Sequence, residues 1–211
     1  MTHTNNRGRK VGRPKYSSLK RLPIGREEHE TILQHINQMV EKQSVAEKLM
    51  RICTILHHTG MRASEVLLLK KGMILSAMND GKFSLNNQTK TKTPRLIMLS
   101  KNGIKEFKEL FEMEGYEYEN ENDYIFVNKH GKQYTAQGIV RLLNTHIKEA
   151  LGELFSSHSY RAGYIRDLFK EVGIGGGSIV RELVGHSTIS VTLRYLVSTE
   201  QDMADVLEMA R

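Results

Sequence analysis

From Glu27 onward the apolar residues recur at the three-and-four spacing that gathers them on one side of a helix. The pattern breaks mainly between Asp80 and Leu99, and again briefly at Tyr124. This confines the chain to a mainly α fold with a small antiparallel β-sheet. Ile32, Ile36, Met39 and Val40 share one face, and Val45, Leu49, Ile52, Cys53 and Leu56 another, with Ser44 as N-cap and Gly60 as stop. Arg62 to Lys70 reads as a third, short helix. Asn79-Asp80-Gly81 is a turn signal, and Leu96 to Leu99 is an apolar run after Pro94, so a hairpin or three-stranded sheet is expected here. A helix over about 101–113, an acidic loop over 116–122 and a short strand from Tyr124 to Val127 follow. Helices are then expected over about 135–151, 158–171, 177–184, 188–196 and 199–210. No internal repeat is visible.

Residues 1–21 have almost nothing to bury and read as a disordered arm, leaving 22–211 as one folded domain. Charge divides at nearly the same place. The chain has a net charge of +7, yet residues 1–26 hold eight basic residues and no acid, leaving 23 basic and 24 acidic residues beyond. A basic arm on a nearly neutral domain suits a polyanion such as nucleic acid. Arg7, Arg9, Lys10, Arg13 and Lys15 are its candidate DNA contacts. Gly8 to Lys15, GRKVGRPK, resembles an AT-hook, in which a thin Arg-Pro segment enters the minor groove. A solvated tail that only adds phosphate affinity fits the same residues. No apolar run approaches membrane-spanning length, the polar N-terminus is unlike a secretory signal, and the single cysteine, Cys53, reads as a core residue. A cytoplasmic protein, nucleoid-associated if bacterial, is expected.

Two segments carry candidate chemistry. Ser157-His158-Ser159-Tyr160-Arg161 opens a helix with the apolar stripe Ile165, Leu168, Phe169 and Val172. Arg161 shares that inward stripe, where a guanidinium is costly unless an anion meets it. His158, three residues earlier, can face the same ligand from the first turn. Pairing of Arg161 with an internal carboxylate is the alternative. The second segment runs Leu183-Val184-Gly185-His186 through a short helix to Tyr195. Upstream, His58-Thr59-Gly60-Met61-Arg62-Ala63-Ser64-Glu65 sets an arginine at a helix start, and Gln88 to Arg95 offers lysines at a hairpin tip. Each alone is compatible with an ordinary surface or core role.

Taken in order, these segments resemble the tyrosine recombinase (phage integrase) family. TGMRASEVLLLK is similar to its first arginine box, TKTKTPRLIML to its lysine hairpin, HSYR to its His-x-x-Arg box, and LVGHSTISVTLRYL to the Gly-His segment with the tyrosine nine residues after the histidine. The resemblance covers about residue 22 to the C-terminus and implies the catalytic-domain fold of that family. It implies that Arg62 and Arg161 clamp the scissile phosphate, that Lys90 protonates the leaving 5′-oxygen, and that His158 and His186 hydrogen-bond the phosphate and assist proton movement. Tyr195 would be the nucleophile and Glu65 a support. Lys90 is preferred to Lys92 because it stands five residues before Arg95, as in the family. Lys92 and Arg95 are then candidate DNA contacts. Ala162 stands where the family usually has a second histidine, and only the short basic arm is expected where most relatives have a helical clamping domain.

The chemistry so implied is cleavage and rejoining of DNA through a covalent 3′-phosphotyrosine. Arginine forks match the non-bridging oxygens and neutralise charge at five-coordinate phosphorus. No metal or cofactor is expected, since the arginines replace a metal and no carboxylate cluster suits Mg²⁺. The expected partner is double-stranded DNA with paired half-sites, bound by a homo-oligomer, a tetramer in the family. Ser198 and Gln201 make a capping box for a last helix whose apolar face is Met203, Val206, Leu207 and Ala210. The family implies docking of that helix on a neighbouring protomer; packing on its own domain fits equally. A type IB-like topoisomerase and a non-catalytic DNA-binding regulator are the alternatives. His158 favours a recombinase over the topoisomerase, which usually has lysine there.

Overall fold

A computed structural model describes residues 21–85, 94–112, 120–128 and 130–195. Helices α1 (Arg26–Met39) and α2 (Gln43–Thr59) pack together, followed by α3 (Ala63–Val66) and α4 (Lys71–Asp80). Strands β1 (Lys82–Leu85) and β2 (Arg95–Met98) pair antiparallel, Leu85 opposite Arg95 and Lys82 opposite Met98. Then come α5 (Lys101–Phe111), α6 (Ala136–Leu151), α7 (Ser157–Val172), a 3₁₀ turn (Ile174–Gly176), α8 (Gly177–Val184) and α9 (Ile189–Leu193). Among the described residues the fold is mainly α with a two-stranded sheet, as expected. No described helix is long and apolar enough to cross a membrane.

The local differences have physical causes. The expected third helix is one turn long, and α4, unforeseen, occupies the next ten residues. Asn79-Asp80-Gly81 is therefore the end of α4, with Gly81 in the left-handed conformation, and not a free turn. Ser44 lies inside α2, whose N-cap is Lys42. Tyr124 and Val127 each make one isolated bridge, to Lys70 and Gln133, and no strand forms between them. Met39 and Val172, placed on inward stripes by spacing, are exposed at helix ends. Residues 1–20 of the arm and the expected last helix lie outside the described residues.

Burial divides into two clusters. The larger gathers Ile32, Leu49, Leu56, Phe107, Phe126, Leu143 and their neighbours from α1 to α6, and includes Cys53 and Tyr160. The smaller comprises Ile165, Phe169, Val180 and Val184 from α7 and α8, with Tyr195 packed against it. Helix α7 belongs to both. Its start is fixed by Ser156, whose N–H donates to Ser159 Oγ (3.0 Å), and by Ser157, whose N–H donates to Asn144 Oδ1 (2.7 Å). The chain entering α1 crosses α7 at Gly163, where a Cβ would stand 1.8 Å from the Ile24 carbonyl oxygen, so only glycine lets these backbones meet.

Candidate active site

Arg161, on the first turns of α7, is 1 % exposed. It meets no carboxylate of the described residues directly. Nη1 donates to the Gly60 carbonyl (2.7 Å) and Nη2 to the Val184 carbonyl (2.5 Å), while its buried Nε has no hydrogen-bond partner among the described residues. These carbonyls end α2 and α8, so one guanidinium ties both motif segments to α7. Burial, reinforced by Arg62 and Arg95, lowers the Arg161 pKa to about 10, still charged at neutral pH.

Arg62, the N-cap residue of α3, remains 40 % exposed at its side chain. Glu65 holds it twice: Oε1 accepts from Arg62 Nη1 (2.7 Å) and Oε2 from the Arg62 backbone N–H (2.9 Å). Glu65 Oε2 also accepts from Arg95 Nη2 (3.0 Å). Arg95 is thereby corrected: expected as a DNA contact on the hairpin, it is buried, its Nη1 bonded to the Val184 carbonyl that Arg161 also holds. Two guanidiniums thus hold one buried carboxylate, and the Arg62, Arg95 and Glu65 charges all act on Arg161. The site has a surplus of positive charge that an anion would relieve. Despite burial, that field holds the Glu65 carboxyl below its usual range.

Gly185 follows α8 in the left-handed conformation (φ 67°), and a Cβ there would lie 2.6 Å from Arg95 Cδ, so both backbone and space demand glycine. The turn places His186, buried, with Nδ1 2.9 Å from Thr192 Oγ1. The His186 ring stacks near Tyr195 (centroids 5.5 Å, 19°), and the Tyr195 hydroxyl lies 2.8 Å from His158 Nε2. Burial, then Arg161 and Arg62, lowers the pKa of both imidazoles, that of His186 to about 4, so both are neutral at pH 7. Arg62, His158, Arg161, His186, Tyr195 and Glu65 are therefore one assembly.

Lys90 and Lys92 lie outside the described residues, as do Arg7, Arg9, Lys10, Arg13 and Lys15. Sequence reasoning missed Thr192, fully buried beneath His186, and Arg21, whose charge reaches His158 and whose Nη1 donates to the Glu153 carbonyl (2.7 Å). Thr192 carried a faint signal: it precedes Tyr195 by three, which places both on one side of α9 and its continuation.

The architecture is that of tyrosine recombinase catalytic domains. It superposes on the XerA recombinase crystal structure with a TM-score of 0.68 at 15% identity, covering 94% of this chain and 66% of that one. It matches XerH site-specific recombinase, crystallised with a palindromic difH substrate in a post-cleavage complex, with a TM-score of 0.68 at 22% identity, covering 94% and 54%. At the sequence level, the chain belongs to the phage integrase family, whose model matches residues 24–202. Tyrosine recombinase XerC of Leptospira interrogans is 25% identical over 159 residues, 74% of this chain and 48% of that protein. Transposase B from transposon PsiTn554 of Staphylococcus aureus is 28% identical over 174 residues, 79% of this chain and 27% of that protein. The chain spans about half the length of the XerC relative it matches.

Proposed function

We propose that this chain is a site-specific DNA recombinase that cleaves with Tyr195 and stores the cut end as a 3′-phosphotyrosine. The observation that carries the reading is the 2.8 Å contact between the Tyr195 hydroxyl and a neutral His158, beside a buried arginine whose charge no carboxylate directly meets. In the cleavage step the Tyr195 oxygen attacks phosphorus in line, its proton passes to His158 Nε2, and the bond to the 5′-oxygen breaks. Lys90 gives its proton to that oxygen. Reversal with another 5′-hydroxyl rejoins the strands without an external energy source. Arg62 and Arg161 neutralise the non-bridging oxygens. His186, with Nδ1 accepting the Thr192 hydroxyl, offers its Nε2–H to the same phosphate. Glu65 and Arg95 hold Arg62 and the Val184 carbonyl in place, a positioning role.

The substrate is double-stranded DNA with paired inverted half-sites, bound inside the cell by a homotetramer in which the helix bearing Met203, Val206, Leu207 and Ala210 docks on the neighbouring protomer. Residues 1–21 add phosphate or minor-groove contacts, and Lys92 adds a contact beside Lys90.

The test begins by selecting the bound site from random duplexes with the full chain. A suicide substrate nicked near the cleavage position then traps a covalent complex with the wild type and none with Tyr195→Phe, which still binds the DNA. No trapped complex with the wild type on its selected site refutes the reading. Efficient relaxation of plasmids lacking that site would instead identify a topoisomerase.

A further inference from the structure

The seam between α1 and α6 carries a polar cluster that strand exchange does not use. His35 on α1 faces His146 on α6 with ring centroids 5.7 Å apart, and Glu149 stands one turn beyond His146. A single carboxylate oxygen, Glu149 Oε2, lies 3.2 Å from His35 Nε2 and 3.3 Å from His146 Nδ1. The imidazoles are mostly withdrawn from solvent, at 17% and 14% side-chain exposure, whereas Glu149 is half exposed at 51%. A hydrogen bond accounts for His35, whose Nε2 has hydrogen-bonding geometry to Oε2. It does not explain His146: its buried Nδ1 approaches the same oxygen without hydrogen-bond geometry and has no other partner among the described residues.

These atoms have the types and spacing of a transition-metal site. Imidazole nitrogen and carboxylate oxygen bind zinc at about 2.0–2.2 Å, so neighbouring ligand atoms of a tetrahedron stand roughly 3.3–3.5 Å apart. The two separations from Oε2 are nearly that already, and all three ligand atoms lie within 4.8 Å of one another. Side-chain rotation alone can close the remaining edge. The His146-x-x-Glu149 spacing sets both ligands on one face of α6. Two imidazoles with one carboxylate suit zinc better than magnesium or calcium, which favour all-oxygen shells.

We propose that His35, His146 and Glu149 bind one zinc ion, with water in the fourth position, and that this ion clips α1 to α6. Helix α1 is the first helix after the basic arm, and its lead-in is bonded to the start of α7 through Leu22 to the Leu154 carbonyl (3.1 Å) and Ile24 to the Ser159 carbonyl (3.0 Å). The clip therefore steadies the wall behind the candidate active site and takes no part in its chemistry.

The full chain, stripped by a chelator, is titrated with Co²⁺ as the spectroscopic probe and Zn²⁺ as competitor. One Co²⁺ per chain should produce the visible absorption of four-coordinate cobalt, bleached by Zn²⁺, and Zn²⁺ should raise the thermal unfolding midpoint. His35→Gln and His146→Gln should each weaken binding more than about 100-fold, beyond the range for loss of a supporting group. The proposal is overturned if the wild type gives no saturable cobalt band. It is equally overturned if the double variant binds Co²⁺ as tightly as the wild type, which would place the ion elsewhere among the nine histidines. Should the variants unfold, Zn²⁺-dependent shifts of the His35 and His146 ring resonances in the wild type decide: moved signals support the site, unmoved ones refute it.

Discussion

The two sides of α7 rest on very different foundations. On one side Tyr160 joins the large cluster of α1 to α6, in which Phe107, Phe111, Phe126 and a dozen aliphatic side chains are fully buried. On the other, Ile165 and Phe169 join a cluster with only Val180 and Val184 as further buried members among the described residues, and Tyr195 leans on it. Arg62 thus stands beside the deep core, flanked by buried Met61 and Ala63, Arg161 spans both sides through the Gly60 and Val184 carbonyls, and His186 and the proposed nucleophile stand on the shallow side. Local stability follows the density of buried apolar contacts, so the tyrosine segment should open at lower cost than the arginine boxes. An enzyme that must present, attach and release one group while holding a phosphate steady needs that inequality.

The largest effect should come from the shallow side. Tyr195→Phe removes the hydroxyl and should reduce covalent complex formation to background while DNA affinity changes less than about twofold, within the few tenths of a kcal/mol of a minor surface change. Gel shift beside suicide-substrate trapping measures both. On the deep side, Phe107→Ala should cost about 3–5 kcal/mol of unfolding free energy by denaturant titration. Cleavage by the molecules that remain folded should stay close to wild type. If cleavage collapsed in step with stability, the two foundations would not be separate.

Glu65→Gln leaves Arg62 and buried Arg95 without their counter-charge and should cost about 2–3 kcal/mol, with cleavage lowered roughly tenfold or more. Acid acts on both sides, through His186 as well as through His29 and His57, which stack at 4.3 Å. Burial lowers the His29 and His57 pKa values to about 3 and about 4. Such groups favour the fold fully above pH 6.5. As pH falls below 6.5 the unfolded chain takes up protons that the folded chain refuses, so stability declines, by up to about 1.4 kcal/mol per pH unit and group. Thermal midpoints between pH 7 and pH 4 should fall accordingly, and His29→Phe should flatten the slope. Smallest in global stability is Val180→Ala, about 1–2 kcal/mol. It should nonetheless depress cleavage more than Phe107→Ala does, which is the sharpest check on the contrast.

The sequence made the helices legible where apolar spacing was strong, as in α2 with Leu49, Ile52, Cys53 and Leu56. Helix α4 escaped because its fully buried residues, Ile74, Ala77 and Met78, are few, and half-buried Met73 and Leu75, which also pack against the core, blur the period. The run at Tyr124 looked like a strand because Ile125 and Phe126 are apolar, yet no neighbour extends a ladder there. Arg161 was readable as inward-facing, since its spacing to Ile165 is local. Arg95 was not, because its partner Glu65 lies 30 residues away and meets it only through the hairpin register and the α3 turn. Long-range polar pairings of this kind leave no periodic trace.

The carbonyl of Val184 accepts from both Arg95, at the foot of the hairpin, and Arg161, on α7. One oxygen is thus the pivot where the β-ribbon, the central helix and the loop bearing His186 are riveted together. Tension applied to the ribbon is transmitted through that rivet to the imidazole and onward to the phenol, so these parts behave as arms of one lever and not as independent fingers.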